Sequence, residues 1–179
     1  IKILLQAMGI DSFKAQVKDY LQHNNDVFDG SELSELTRIQ DDFQLRALPP
    51  REGGAYWEQI DTDPGFREWV TRNVTPHRQE DYASVTISLK AHGQAPGDAT
   101  ASQMRAMADL ADQFGFSELR VSHQQNIVIP HVALADLPAV FERLSQQDLG
   151  TPNIGLISDL IACPGMDYCA LATARSIPI

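Results

Sequence analysis

The sequence predicts an α+β domain whose elements follow the order strand, helix, strand, strand, helix. Three patterns lead to that expectation. Val85, Ile87 and Leu89 alternate with Ser84, Thr86, Ser88 and Lys90, the two-residue period of a half-buried strand. Met104, Met107, Ala108, Ala111 and Phe114 recur at helical spacing. Two short segments, 118–122 and 126–130, flank His123-Gln124-Gln125 and read as strand, turn, strand.

Taken in chain order, residues 3–21 read as a helix, with Ile3, Leu4, Met8, Phe13, Val17 and Leu21 on one stripe. Gly9 interrupts it, and Asp11 is placed to cap a second segment running from Ser12. Residues 22–54 are polar and punctuated by His23-Asn24-Asn25, Asp29-Gly30, Pro49-Pro50 and Gly53-Gly54. They read as a connector holding one short helix at 31–39, capped by Ser31. A second short helix is expected at 65–73, with Phe66, Trp69 and Val70 on one side. The strand that begins at Tyr82 is followed by a loop at 93–98. Next comes the helix capped by Thr100 and stopped at Gly115. In the run after the turn, Ile127, Val128 and Ile129 suit burial on both faces. A last helix spans 136–146, with Asp136 as cap and Pro138 in its first turn. The whole is a half-domain of the ferredoxin-like kind with helical and irregular flanking segments. A half leaves a sheet edge to be paired, by a second copy or by the remainder of a parent chain.

With 179 residues, 43% hydrophobic and 21% charged, the chain is long and apolar enough to bury a core. A net charge of -10 argues against nucleic acid and against an anionic membrane surface, both of which require a basic field. No apolar run reaches the roughly 18 residues of a membrane span. No small-residue cleavage site follows the apolar stretch 1–5, so it is not read as a signal peptide. The missing initiating Met and the apolar end at 177–179 suggest a piece of something longer. Two cysteines only, Cys163 and Cys169, do not resemble a secreted disulfide framework, so a cytoplasmic setting is expected. No fixed-period repeat is visible.

The chemistry-bearing motif lies in the tail, which reads Asp159-Leu-Ile-Ala-Cys163-Pro-Gly-Met-Asp-Tyr-Cys169-Ala-Leu-Ala. On spacing alone, a C-x5-C pair fits two packed thiols or a redox-active disulfide as well as a metal site. With its flanking residues, the segment resembles the first cysteine pair of the nitrite/sulfite reductases. Three other segments resemble the same family. Arg120-Val-Ser-His-Gln-Gln125-Asn126-Ile-Val-Ile is similar to its strand–turn–strand segment, with Ser122 where that pattern has Thr. Trp69, Asn73-Val74, Gln79 and Tyr82 resemble the lead-in to its second ferredoxin-like half. Ile1-Lys2-Ile3-Leu4, Met8-Gly9, Phe13 and Val17 resemble the helical close of a preceding siroheme-binding domain. Residues 22–64 match nothing in the family.

The resemblance implies a segment of an enzyme that reduces sulfite to sulfide, or nitrite to ammonia, by six electrons. Its cofactors would be siroheme and a [4Fe–4S] cluster, and its electron donor a ferredoxin or a flavoprotein subunit. The expected organisation is a helical end of one repeat at 1–21 and a linker with short helices at 22–81. The half-domain at 82–149 and the start of the second catalytic repeat at 150–179 complete it. Cys163 and Cys169 would supply two of the four thiolates a cluster needs. Pro164-Gly165 would make the turn, and the start of a following small-residue helix would turn N–H groups toward the cluster. A second cysteine pair would lie beyond Ile179, so the isolated chain is expected to be inactive. Arg120 would meet a siroheme carboxylate, or, without the motif, form a salt bridge with Glu118. The amides of Gln125 and Asn126 would hydrogen-bond the cofactor, although Asn126 is also ordinary turn chemistry. The same sequence admits a noncatalytic α+β dimerisation module with idle cysteines, or another siroheme-dependent oxidoreductase.

Other conspicuous residues are assigned no chemistry. His123 reads as a loop histidine, and His77 and Arg78 as linker residues. Met104, Met107 and Phe114 form a core face, Trp57 and Trp69 are packing anchors, and Glu32, Glu35, Asp41 and Asp42 make a solvated face.

Overall fold

Asp63-Pro64 is where local sequence chemistry first fixes an element of the main domain. In the computed structural model, which describes residues 2–23, 31–43, 47–52 and 54–176, the Asp63 carboxylate accepts from the N–H groups of Gly65 (2.9 Å) and Phe66 (3.0 Å). Pro64 opens the helix, where its missing N–H has no partner to lose. The Asp29-Gly30 turn, Gly53, Ile1 and the apolar end 177–179 lie outside the described residues, as does the side chain of the expected cap, Ser31.

The chain divides into two units, Ile1–Leu48 and Pro49–Ile179. The first holds α1 (Lys2–Met8), α2 (Ile10–His23) and α3 (Ser31–Asp42). Gly9, at φ 78°, separates α1 from α2 as expected. Helix α3 runs past the expected end at Ile39, and Arg38 bridges Glu35 (2.7 Å) and Asp42 (3.0 Å) on its exposed face.

The second unit holds α4 (Ala55–Thr62), α5 (Pro64–Asn73), β1 (Val74–Pro76), β2 (Tyr82–Ile87), α6 (Ala101–Phe114), β3 (Arg120–Val121), β4 (Ile127–Ala133) and α7 (Leu137–Ser145). Strand, helix, strand, strand, helix from β2 to α7 is the α+β order expected, with β1 added at one edge. The sheet order is β1-β2-β4-β3, antiparallel throughout. Register pairs Val85 with Ile129 and Ile87 with Ile127, and a bulge falls between Ala83 and Val85. Val85, Ile87, Ile129 and Val132 meet Phe66 and Trp69 of α5, Met107 and Leu110 of α6, and Val140 and Leu144 of α7 in one core. Helix α5 and strand β1, which fall in the stretch expected to be a linker, are thus built into the domain.

Several residues sit differently from expectation. Met104 is 61% exposed, and the buried stripe of α6 is instead Gln103, Met107, Leu110 and Ala111. Gln103 closes a capping box with Thr100 and donates to the Gln147 carbonyl at 3.0 Å, which turns the helix by one position. Trp57 is 61% exposed, because its neighbour Tyr56 takes the inward position of α4 and meets Phe66 edge-on at 6.2 Å. Trp69 is fully buried, with Phe66 and Phe141 at 6.0 and 5.1 Å. Asp136 makes no side-chain cap; its carboxylate pairs with Arg51 at 2.9 Å. Of Ile127, Val128 and Ile129, only Ile129 is fully covered, while Ile127 and Val128 are half-buried. Ser88 and Lys90, expected on the solvent side of the strand, are both buried.

Candidate functional site

The burial of Lys90 leads to the site. Past Ile87 the chain leaves β2, and the segment 88–90 runs beside the turn that joins β3 to β4. That turn is closed by Gln125 N–H to the Ser122 carbonyl (3.2 Å) and Ser122 N–H to the Asn126 carbonyl (2.9 Å). It holds Gln125 at φ 58°, a left-handed conformation that disfavours most side chains. Gly97, itself at φ 86°, lies so close that a Cβ there would stand 3.2 Å from Gln125 Cβ.

Three side chains from this corner grip the tail. The Gln125 amide donates to the Ala162 carbonyl (2.8 Å) and accepts from the Ala162 N–H (3.0 Å), a two-bond pairing one residue before Cys163. Asn126, 1% exposed, donates to Asp159 Oδ1 (2.9 Å) while its own oxygen accepts from the Leu89 N–H (3.2 Å). Lys90 Nζ donates to Asp159 Oδ1 (2.6 Å), to the Asp159 carbonyl (3.2 Å) and to the Gln124 carbonyl. The Lys90 and Asp159 side chains are 1% and 7% exposed. Burial works against the Asp159 charge. The Gly155 N–H on its other oxygen (3.0 Å), the Lys90 ammonium and the Asn126 amide outweigh it, and hold the carboxyl below the usual carboxylate range. Asn153 completes the corner by donating to the Lys90 carbonyl at 3.0 Å.

The cysteine loop follows directly. Pro164 leads into a single 3-10 turn at Gly165–Asp167, and the Cys169 N–H returns to the Gly165 carbonyl at 2.9 Å. Gly165 sits at φ 64°, and a Cβ there would stand 2.6 Å from Ser176 Oγ and 2.8 Å from the Ala174 carbonyl. The return of the chain at 174–176 is held by Met166 N–H to the Ala174 carbonyl (3.0 Å) and by the Ser176 hydroxyl on the Cys163 carbonyl. Both cysteines are free, Cys163 exposed and Cys169 half-buried. Among the described residues after Cys169 the chain forms turns rather than the expected helix start, so the N–H groups near the thiols come from the turn.

Of the five residues singled out from sequence, four gather here: Gln125, Asn126, Cys163 and Cys169. Arg120 stands apart. It lies on the sheet face shared by its cross-strand partner Val128, and its guanidinium meets Glu118 Oε1 at 2.6 Å while remaining 60% exposed. Sequence reading missed Lys90 and Asp159, whose partnership spans 69 residues. It also missed a second polar line, in which His77 accepts from the Gln79 N–H (2.9 Å) and faces His131 (3.1 Å), itself 3.6 Å from Glu118.

As a ligand set, two accessible thiols on a turn fit two corners of an iron–sulfur cluster and leave two to come from elsewhere. Among the described residues no group of three or more His, Cys, Asp or Glu is arranged to hold a metal ion. For a macrocycle bearing carboxylates, the cation singled out from sequence, Arg120, is already shared with Glu118. No helix among the described residues is long and apolar enough to cross a membrane.

Residues 76–147 match the family model described as the nitrite/sulfite reductase ferredoxin-like half domain. The chain is 34% identical over 110 residues to the chloroplastic ferredoxin–nitrite reductase of Oryza sativa subsp. japonica, covering 59% of this chain and 17% of that protein. It is 31% identical over 170 residues to the chloroplastic ferredoxin–nitrite reductase of Betula pendula, covering 94% of this chain and 24% of that one. With the ferredoxin–nitrite reductase of Synechococcus elongatus the identity is 25% over 112 residues, 61% of this chain and 21% of the relative. The chain thus spans no more than about a quarter of these relatives' length.

Proposed function

This chain carries a nitrite/sulfite reductase ferredoxin-like half domain and through it belongs to that family, and from this premise we propose that it works as part of a reductase-length protein that reduces nitrite to ammonia by six electrons supplied by a ferredoxin. The relatives are named as ferredoxin–nitrite reductases, which favours nitrite over sulfite and a ferredoxin over a flavoprotein subunit. In this reading Cys163 and Cys169 supply two thiolates of a [4Fe–4S] cluster, and the remainder of the protein supplies the other two and most of the siroheme pocket. The observation that carries the reading is the cysteine loop held against the corner of the half domain by Gln125 and Asn126. Both amides keep unused hydrogen-bonding capacity, and in this reading they would touch siroheme, as would Arg120 from its separate place on β3. When bound, the cluster would pass electrons and siroheme would hold the nitrogen being reduced.

The test is made on the reductase-length protein, purified anaerobically. Siroheme absorbance, iron content and the products of nitrite and of sulfite are measured with reduced ferredoxin as donor. Siroheme with ammonia formed from nitrite supports the proposal. A protein without siroheme overturns it, and sulfide formed faster than ammonia moves the assignment to sulfite.

A further inference from the structure

Between Asp159 and Cys163 the chain has little packing to hold it. Leu160 and Ile161 are 64% and 57% exposed, so apolar burial does not fix their course. What fixes it is polar. Lys90 directs all three of its ammonium protons at acceptors, two of them on Asp159 and one on Gln124. The Asp159 carboxylate in turn gathers Lys90, Asn126 and Gly155. All three Lys90 protons are thus committed within the protein, and both side chains are almost fully covered. A buried ion pair is a poor way to gain stability over an apolar pair, but a strong way to specify one arrangement of two segments, because any other leaves charge unpaired. The pair joins the segment just past β2 and the β3–β4 turn, both at one end of the sheet, to the tail.

We infer that Lys90 and Asp159 are positioning residues for Cys163: their ion pair, with the Gln125–Ala162 pairing, sets where the first thiol of the cysteine loop stands relative to the half domain. The functional meaning rests on the reading of Cys163 as a cluster ligand. A ligand fixed before the cluster arrives needs no ordering when it binds, so thiolate geometry is held by the sheet rather than by the metal.

The test uses the full 179-residue chain with Cys169→Ser, spin-labelled at Cys163 and at an Arg105→Cys site on the exposed face of α6. Pulsed dipolar spectroscopy reads the spread of distances between them. Lys90→Met alone leaves a buried carboxylate without its partner, so the decisive variant is Lys90→Met with Asp159→Leu, which removes both charges. The expected result is a spread about twofold wider, with sheet amides around Val85 and Ile129 still protected from exchange. An unchanged spread overturns the inference, and so does loss of sheet protection, which would make the pair a support of the whole domain. Iron retained by Cys163→Ser in the reductase-length protein would sink the cluster reading while leaving the positioning result standing.

Discussion

The side-chain amide of Gln125 pairs with the backbone of Ala162 as one strand residue pairs with another, donating at 2.8 Å and accepting at 3.0 Å. A glutamine on a hairpin turn thereby stands in for a missing strand beside the cysteine loop. It does so from a left-handed backbone, where it is conformationally disfavoured.

Gln125→Ala removes both bonds and keeps the backbone strain. Faster hydrogen exchange at the Ala162 amide is expected, together with a small fall in melting temperature. Gln125→Gly relieves the backbone and should recover the melting temperature without recovering Ala162 protection. Recovery of both by glycine would mean that the amide does not hold the tail.

Core position and stripe position should separate cleanly in urea unfolding. Trp69→Ala, fully buried against Phe66 and Phe141, is expected to lose about 3–5 kcal/mol. Met104→Ala, on the exposed side of α6, is expected to stay within about 0.5 kcal/mol of the parent. Equal losses would refute the buried stripe of Gln103, Met107, Leu110 and Ala111.

The depressed carboxyl of Asp159 gives the tail an acid dependence of definite sign. A lowered folded-state pKa means that the charge supports the native contact above the unfolded value near about 4 and that the support is lost as pH falls below it. The spread of Cys163 label distances should therefore widen below about pH 4. It should not change with pH in the Lys90→Met, Asp159→Leu double variant. A parent chain with no widening on acidification contradicts the assignment.

Reconstitution of the isolated chain with iron and sulfide should leave no stable cluster, because a [4Fe–4S] unit needs about four thiolates and this chain has Cys163 and Cys169. Iron and acid-labile sulfide are measured after desalting. About four irons per chain would show that one chain completes the ligand set, and about two would show a cluster shared between two copies.

What the sequence discloses is the chemistry of neighbours. Thr100 announces a cap, Gly9 a break and Val85 and Ile87 a strand, because each rests on a local backbone demand. The phase of α6 was not legible, since Met107 and Ala111 lie on both the expected and the observed stripe, and the contact of Gln103 with Gln147 decides between them. Helix α4 was hidden behind the glycines at 53 and 54. Strand β1 was hidden by its length of three residues and its proline. In the candidate site, motif likeness found Gln125, Asn126 and the two cysteines, but Lys90 reads as one more outward lysine on an alternating strand. Only the fold brings Asp159 to it.

On the half domain Gln124 and Gln125 are consecutive, while the tail residues they reach through Lys90 and directly, Asp159 and Ala162, stand three apart. Leu160 and Ile161 between them face solvent. The connection therefore behaves as a ruler: it measures chain length and ignores side-chain identity. Polar replacements at 160 and 161 should pass unnoticed, whereas inserting or deleting one residue there would shift Cys163 by one residue's rise, up to about 3.3 Å in extended chain. Natural variants of this tail should differ freely in composition at those two positions and not at all in count.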